Sequence, residues 1–351
     1  MASKTGQAIT NDDARNAPTT ERDLTPETPL LRAVRIILAQ RLSYVADRIP
    51  EAMEPDGDIE YVHQLRVSTR RATAALDVFR DTVRPKRRRR LRRALKLIRR
   101  AAAGAREADV HIVMLSSLRE RAQTEQRAAI DWLLDVLAAR RRSVQPDMDA
   151  VLRRFRGRRF TKLQNKLMKR LHLPSGDDTA CGDPGDLSLM DAARTVLPTK
   201  TATVRRTAQS DLNIVEHAHQ LRIEAKMLRY ALEVFSGVFE KPFQKDMSKA
   251  FKQLQDRLGA INDADEFVRT LRSVRQIEGR ALRGGNGAEA LLKTIDAMID
   301  EWRVTSRRSH LEFLDWWPDC PVQAICDRID VTLRVQENTS PRPVMIEGDA
   351  V

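Results

Sequence analysis

The sequence has few cysteines, few aromatic residues and no long hydrophobic run. Its three cysteines are too few and too irregularly spaced for a disulfide scaffold, and they form no CxxC pair of the kind that structural zinc sites use. No stretch approaches about 18 uncharged apolar residues, so a membrane-spanning helix is not expected. The polar N-terminus lacks the apolar segment of a secretory signal. These absences favour a soluble protein of a reducing cytoplasm.

Basic residues are abundant instead. Lys and Arg total 62 against 49 Asp and Glu, which gives a formal net charge of +13 at pH 7. Such a balance points to a polyanionic partner, and charge alone does not choose among nucleic acid, an anionic membrane and polyphosphate. With 42% hydrophobic residues the chain is expected to fold, and its 351 residues are enough for two domains.

Between turn-rich stretches the apolar residues follow a helical pattern. Leu65, Ala72, Leu76 and Phe79, for example, recur at the steps of three, four and seven that place side chains on one helix face. Alternation typical of β-strands is nearly absent, so the predicted fold class is all-α. The composition divides the chain into a flexible N-terminal tail over 1–29, a helical half over 30–173, a linker over 174–186, a second helical half over 187–335 and a flexible C-terminal tail over 336–351.

An internal repeat relates the two halves. A single shift along the chain, from position 63 to position 219, places the HQLR sequence at 63–66 on the HQLR sequence at 219–222 and pairs Phe79 with Phe235. We call this shift the repeat offset. Matches at one offset across two helices and their connections predict that each half repeats the same unit. We therefore expect two bundles of about four helices each, related by a pseudo-twofold axis.

One helix of each half carries a basic stripe beside its apolar face. At about 100° per residue, His63, Arg66 and Arg70 lie within about 60° of one another. Like charges at such neighbouring positions repel unless an anion neutralises them, and arginine and histidine both donate to phosphate oxygens. The two stripes consist of His63, Arg66, Arg70 and Arg71, and of His219, Arg222, Lys226 and Arg229.

The following helix adds a second pair of stripes. Eleven of the seventeen residues from 84 to 100 are Lys or Arg, and no acid occurs between Asp81 and Glu107. A charge run usually means a solvated helix face, but such faces normally interleave Glu with Lys. A third acid-free run, over 151–172, is either a solvated face or a part of the site. The second pair of stripes consists of Arg89, Arg93 and Lys96, and of Lys245, Lys249 and Lys252.

Asp109 and Asp265 occupy equivalent positions of the repeat, each where a helix could begin. Helix N-capping is the favoured interpretation, and orientation of an arginine of the basic stripe is the alternative. No metal site is expected, because His217 and His219 point to different helix faces and no carboxylate completes a triad. Catalysis is not expected either, since the chain has no GxxxxGK(S/T) phosphate loop and the candidate site is cationic. No cofactor is expected.

On these residues the sequence resembles the CHAD domain family, which is named for a conserved histidine in an α-helical domain. The family pattern His-x-x-Arg-x-x-x-Arg/Lys reads HQLRVSTR at 63–70 and HQLRIEAK at 219–226. The segments GAREADV at 104–110 and LGAINDA at 258–264 are similar to two further family elements. The sequence departs from the pattern at Thr73 and Met227, where the family often has a basic residue.

The resemblance implies that basic helices of the two bundles line a central pore or groove, with inorganic polyphosphate as the ligand and polyphosphate granules as a location. All fourteen stripe residues named above are predicted to contact the phosphate chain. Nucleic-acid binding through backbone phosphates is the alternative. Single-strand binders stack bases on aromatic rings; the run over 84–100 has none, whereas the run over 151–172 contains Phe155 and Phe160.

Overall fold

A computed structural model of the chain describes residues 20–54, 57–169, 171, 187–280 and 287–339. Within these ranges the chain is mostly helical and has no β-strand, only isolated bridges that join Pro29 to Ser188 and Val83 to Leu171. The all-α fold class predicted from the sequence is confirmed. The predicted linker over 174–186 lies outside the described residues.

The first half contributes six α-helices and the second half five to the described part of the chain, where about four were expected in each. The six are α1 (Leu30–Glu51), α2 (Ile59–Val78), α3 (Pro85–Ala101), α4 (Ala103–Arg121), α5 (Thr124–Arg153) and α6 (Arg158–Met168). The five are α7 (Leu189–Ala208), α8 (Val215–Val234), α9 (Lys241–Ile277), α10 (Ala288–Trp316) and α11 (Val322–Thr339).

The helix bounds follow the repeat offset found in the sequence. Helices α2 and α8 are both 20 residues long and begin at equivalent positions, Ile59 and Val215. Helices α3 and α9 also begin at equivalent positions, Pro85 and Lys241, and each has a proline in its first turn, where no backbone donor is lost. Helix α9 ends at the position equivalent to the end of α4, so it spans the length of α3 and α4 together.

Two hydrophobic clusters hold the fold together, and each draws side chains from both halves. The larger cluster joins α1, α2, α3 and α6 to α7, α8, α11 and the first part of α9, and the smaller one joins α4 and α5 to α10 and the last part of α9. Phe79 and Phe235, which the repeat pairs, meet edge to face with ring centroids 6.0 Å apart. The halves therefore pack as one body around α2 and α8.

Part of the predicted N-terminal tail is ordered, which corrects the boundary at residue 29. Leu24 is buried in the larger cluster, and the guanidinium of Arg41 holds Glu21 at 2.9 Å. A side chain at Gly237 would collide with the carbonyl oxygen of Leu24, so the segment lies directly against the second half. The tail prediction was wrong for 20–29 because one leucine and one ion pair anchor an otherwise polar segment. Residues 336–339 likewise continue α11 instead of belonging to the C-terminal tail.

No helix in the described ranges is both long enough and apolar enough to cross a membrane.

Candidate anion-binding site

The basic stripes of α2 and α8 come together at the junction of the two halves. The two helices pack against each other. On α2, Leu65, Ala72 and Leu76 are fully buried, which turns His63, Arg66 and Arg70 toward a half-buried position on the other side. On α8, Arg222 and Lys226 are half-buried in the same way. The apolar periodicity of each helix thus decides where its cations lie.

The cations of the two halves are close enough to act on one another. Burial lowers the pKa of Arg66, and the charges of Arg70, Arg99 and Arg106 lower it further. Burial also lowers the pKa of Lys226 to about 8, with contributions from Arg222 and from Arg70 of the other half. We call this group the central cluster. Its members are His63, Arg66, Arg70, Arg99, Arg106, Arg222 and Lys226.

His63 shares this cationic environment. Burial lowers the pKa of its imidazole, and Arg106, Arg70 and Arg66 add to the effect, while Glu60 opposes it. The ring is therefore neutral near pH 7 and able to donate through one nitrogen. Its counterpart His219 is exposed instead, in a cleft that also contains Arg222, Asp265 and Glu266. The two histidines occupy equivalent sequence positions in different surroundings.

Several donors of this region are buried without an acceptor among the described residues. They are the Nε atoms of Arg70, Arg88 and Arg222 and the Nε2 atom of Gln255, the counterpart of Arg99 in the repeat. Arg66 is partly satisfied, because its Nη1 donates to the carbonyl oxygen of Arg99 at 2.7 Å. A buried donor without a partner costs about 1–3 kcal/mol. An anion that accepts from these donors would offset that cost.

The sequence interpretation missed Arg99 and Arg106. Burial lowers the pKa of Arg99 as well, with Arg70 as the next cause. Both residues lie in segments that the sequence had already singled out, Arg106 in the GAREADV segment and Arg99 in the run over 84–100. Arg99 lies two turns after Arg92 on α3, and Arg92 pairs with Asp77 of α2 at 3.2 Å, so the two arginines share one side of α3. That side faces α2.

Arg71 and Arg229 are committed to a carboxylate. Arg71 contacts Glu233 at 2.9 Å, and Arg229 contacts the other oxygen of Glu233 at 2.8 Å. The guanidinium of Arg229 also lies 4.9 Å from the centroid of the Tyr230 ring. Arg229 is still near enough to lower the pKa of Lys226. These two arginines therefore sit at the edge of the central cluster with much of their charge already neutralised.

The second pair of stripes lies on the outer surface. Arg89, Arg93 and Lys96 are exposed on α3, and Lys245, Lys249 and Lys252 are exposed on α9. Lys252 pairs with Asp256 at 3.1 Å, one turn along the same helix. The structure thus does not bring these six residues into the central cluster.

The capping interpretation of Asp109 and Asp265 was wrong. Both residues lie inside helices, Asp109 in α4 and Asp265 in α9. Asp109 is only 2% exposed and accepts from Nε of Arg141 at 2.7 Å; burial raises the pKa of its carboxyl, and the Arg141 bond opposes that shift. Asp265 accepts from the hydroxyl of Ser306 at 2.6 Å. Each carboxylate therefore ties its helix to a neighbour, and neither partner belongs to the basic stripes.

The described residues contain no group of three or more His, Cys, Asp or Glu side chains that could hold a metal ion.

Comparison with known proteins identifies a family and two similar structures. The sequence model of the CHAD domain matches residues 36–272. The crystal structure of the CHAD domain from the plant Ricinus communis is similar, with a TM-score of 0.55 and 22% identity over 89% of this chain and 93% of that chain. The structure of PptA from Streptomyces chartreusis is also similar, with a TM-score of 0.55 and 16% identity over 83% of this chain and 100% of that chain.

No curated protein matches the chain in sequence. The family match nevertheless covers more than half of the chain, and it includes both the motif at 63–70 and the motif at 219–226. The chain therefore belongs to the CHAD domain family.

Proposed function

We propose that the chain binds a long inorganic polyphosphate through the central cluster, without a catalytic step. The observation that carries the proposal is the position of Arg70. Its charge lowers the pKa of Arg66 on its own helix and of Lys226 on the helix of the other half. The cations of both halves thus form a single field at one place in the molecule.

A chain of phosphates fits this field better than a single phosphate does. An isolated phosphate satisfies one or two arginine forks, whereas a polymer with about one charge per phosphate satisfies donors on α2, α3 and α8 at once. Inorganic polyphosphate has no apolar surface, and the central cluster offers donors and positive charge for it. Membership of the CHAD family, which is associated with polyphosphate, supports the same ligand.

The exposed stripes have a different role in this proposal. Arg89, Arg93 and Lys245 carry unburied charge, so they attract a polyanion over distance and lose much of that effect in salt. The buried arginines then hold the chain through charge-assisted hydrogen bonds. Release of counterions from the polymer should make the affinity fall steeply as salt rises.

The excess of cations in the central cluster favours binding of a polyanion, and the proposal includes no hydrolytic step. We propose a cytoplasmic location on polyphosphate granules, where such a protein would meet its ligand in bulk.

Calorimetric titration with long-chain polyphosphate at two salt concentrations tests the proposal, with orthophosphate and single-stranded DNA as comparison ligands. The test variant carries Arg66→Glu and Arg222→Glu, and the control carries Arg142→Glu and Arg307→Glu, which reverse two exposed charges outside the cluster. We expect tight binding of polyphosphate that the test variant loses and the control keeps. The dependence of log affinity on log salt should shrink by about one for each cation lost.

Equal affinities for polyphosphate and DNA, both unaffected by the Arg66→Glu and Arg222→Glu reversal, would contradict the proposal. Nucleic-acid binding on the outer surface would then become the leading function. Because the two reversed residues are half-buried, circular dichroism and thermal unfolding should accompany the titration, and Arg66→Gln with Arg222→Gln provides a milder pair.

A further inference from the structure

A second basic surface lies on the opposite side of α3 from the central cluster. Arg90 and Arg99 are about 180° apart on the helix at about 100° per residue, so they face away from each other. Around Arg90 the third basic run of the sequence packs beside α3 and leaves a groove of about 390 Å³. We call it the lateral groove. Its cations are Arg90, Arg93, Arg154, Arg159, Lys162 and Lys166.

Helix α6 owes its position to a few residues. Gly157 precedes it with a φ of +62°, a conformation that favours glycine, and turns the chain back after α5. Phe160 and Leu167 then bury on one side of α6, and Gln164 donates to the carbonyl oxygen of Ala39 at 3.3 Å. Because that side is anchored, the basic side of α6 is held beside α3.

The six cations of the lateral groove are exposed, and none has an ion-pair or hydrogen-bond partner among the described side chains. No acidic residue lines the groove. Arg159, Lys162 and Lys166 recur at steps of three and four, so they form a row about 10 Å long on one wall. A row of unpaired cations suits a chain of negative charges better than a single ion.

The floor of the groove is apolar. Ala94, Leu97, Phe155 and Leu163 form it, and Leu97 is 44% exposed between charged neighbours. Inorganic polyphosphate has no group that would cover such a floor. A ligand with phosphates along its edge and flat apolar faces would cover it. Single-stranded nucleic acid has both, since its backbone carries the phosphates and its bases have the flat faces.

The equivalent position of the second half differs in its described side chains. The counterpart of Arg90 in the repeat is Asp246, which pairs with Arg328 of α11 at 3.0 Å. The guanidinium of Arg328 also lies 4.3 Å from the centroid of the Phe243 ring. In the second half Asp246, Arg328 and Phe243 therefore contact one another. In the first half the groove cations have no such partner among the described residues, and Phe155 is partly exposed.

We propose that the lateral groove binds single-stranded nucleic acid, with phosphates between the two cationic walls and a base against Leu97 and Phe155. The site is separate from the central cluster and does not depend on polyphosphate binding there. A strand of two or three nucleotides matches the length of the cationic row.

Fluorescence anisotropy with a labelled single-stranded DNA of about eight nucleotides tests this site in the full chain. The groove variant carries Arg159→Glu and Lys162→Glu, and the matched control carries Arg142→Glu and Arg307→Glu, with all four residues exposed. We expect the groove variant to bind the oligonucleotide at least about tenfold more weakly and to bind polyphosphate as before, whereas the control binds both normally.

An abasic oligonucleotide with the same number of phosphates tests the contact with the apolar floor. Stacking of one base should make the normal strand bind between about fivefold and a hundredfold more tightly than the abasic strand. Equal binding of the two strands would overturn the proposal, since the groove would then read phosphate alone.

Two further outcomes would also overturn it. One is oligonucleotide binding that the groove variant keeps and the Arg66→Gln and Arg222→Gln variant loses. The other is an absence of oligonucleotide binding together with groove-dependent binding to vesicles of phosphatidylglycerol, which would assign the surface to an anionic membrane.

Discussion

The central cluster and the outer stripes contain the same kinds of side chain in different physical settings. Arg70 and Arg222 are half-buried, and each has a donor without an acceptor in the described part of the chain. Arg89 and Lys245 belong to equally basic stretches, yet they are exposed to water that already solvates their charge. A charge taken partly out of water and surrounded by like charges gains far more from an anion than a solvated charge does. Burial, more than the number of cations, therefore marks the proposed binding site.

The largest expected effect is the difference in polyphosphate affinity between a charge reversal in the central cluster and the same reversal on an outer stripe. Arg70→Glu should weaken polyphosphate binding by about a hundredfold or more, because it removes a charge-assisted donor and places a carboxylate among the remaining cations. Arg89→Glu makes the same change on the outer stripe and should cost only about two- to fivefold. Calorimetric titration of both variants measures the difference. Equal losses would show that the protein responds to its net charge alone.

Lys226 should make polyphosphate binding at the central cluster depend on pH. Its pKa of about 8 in the free protein means that the ammonium is charged at pH 7 and neutral at pH 9, unless a bound polyanion keeps it protonated. Affinity should therefore fall by about tenfold between pH 7 and pH 9, as one cationic contact must be recharged on binding. Titrations of Lys226→Arg should show little change over this range. A decline of the same size in Lys226→Arg would assign the pH effect to another group.

The stability of the free protein provides a third test. The pKa of Lys226 is lower in the folded state than in the unfolded state, so the buried charge destabilises the fold below pH 8, and this penalty disappears as pH rises toward 10.5. Lys226→Met should raise the melting temperature at pH 7 by about 1–2 °C, which corresponds to about 1 kcal/mol after allowance for solvent screening. Lys249→Met, at an exposed position, is the control. A lower melting temperature for Lys226→Met would contradict the account.

The smallest expected effect is the difference between His63 and His219 in their influence on the pH response of binding. Burial and Arg106 lower the pKa of His63, so the ring gains charge only in acid and should do so more readily with polyphosphate bound. Between pH 7 and pH 5.5, binding should tighten about threefold more in the wild type than in His63→Gln. His219→Gln, on the exposed residue, should keep the wild-type response. The titration of polyphosphate itself is common to all three proteins and cancels in the ratio.

Much of the fold was accessible from the sequence because its signals are local and repeated. Apolar spacing predicted helices through Leu65 and Leu76, and both residues are fully buried. The repeat offset reappears in the bounds of α2 and α8. Arg66 and Arg70 were identified as site residues because the helical period alone separates them from the apolar face. The motif also predicted the family.

The remaining features depend on which element covers a helix face, and that information is not local. Helical spacing placed Arg89 and Arg93 on one stripe, but only the packing of α3 against α2 shows that Arg99 faces the cluster. Asp109 and Asp265 looked like helix caps because short polar residues favour caps, whereas their partners Arg141 and Ser306 are 32 and 41 residues away. The groove at 90–97 and 154–166 requires α6 to fold back, and Gly157 was the single local sign of that turn.

The most direct test of the central claim is a crystal structure of the protein with long-chain polyphosphate. We expect phosphate oxygens within about 3 Å of guanidinium nitrogens on Arg66 and Arg70 and, in the same polymer, of donors on Arg222 and Lys226. A phosphate chain that runs along Arg89, Arg93 and Lys96, with the donors of Arg70 and Arg222 still without phosphate contacts, would contradict it.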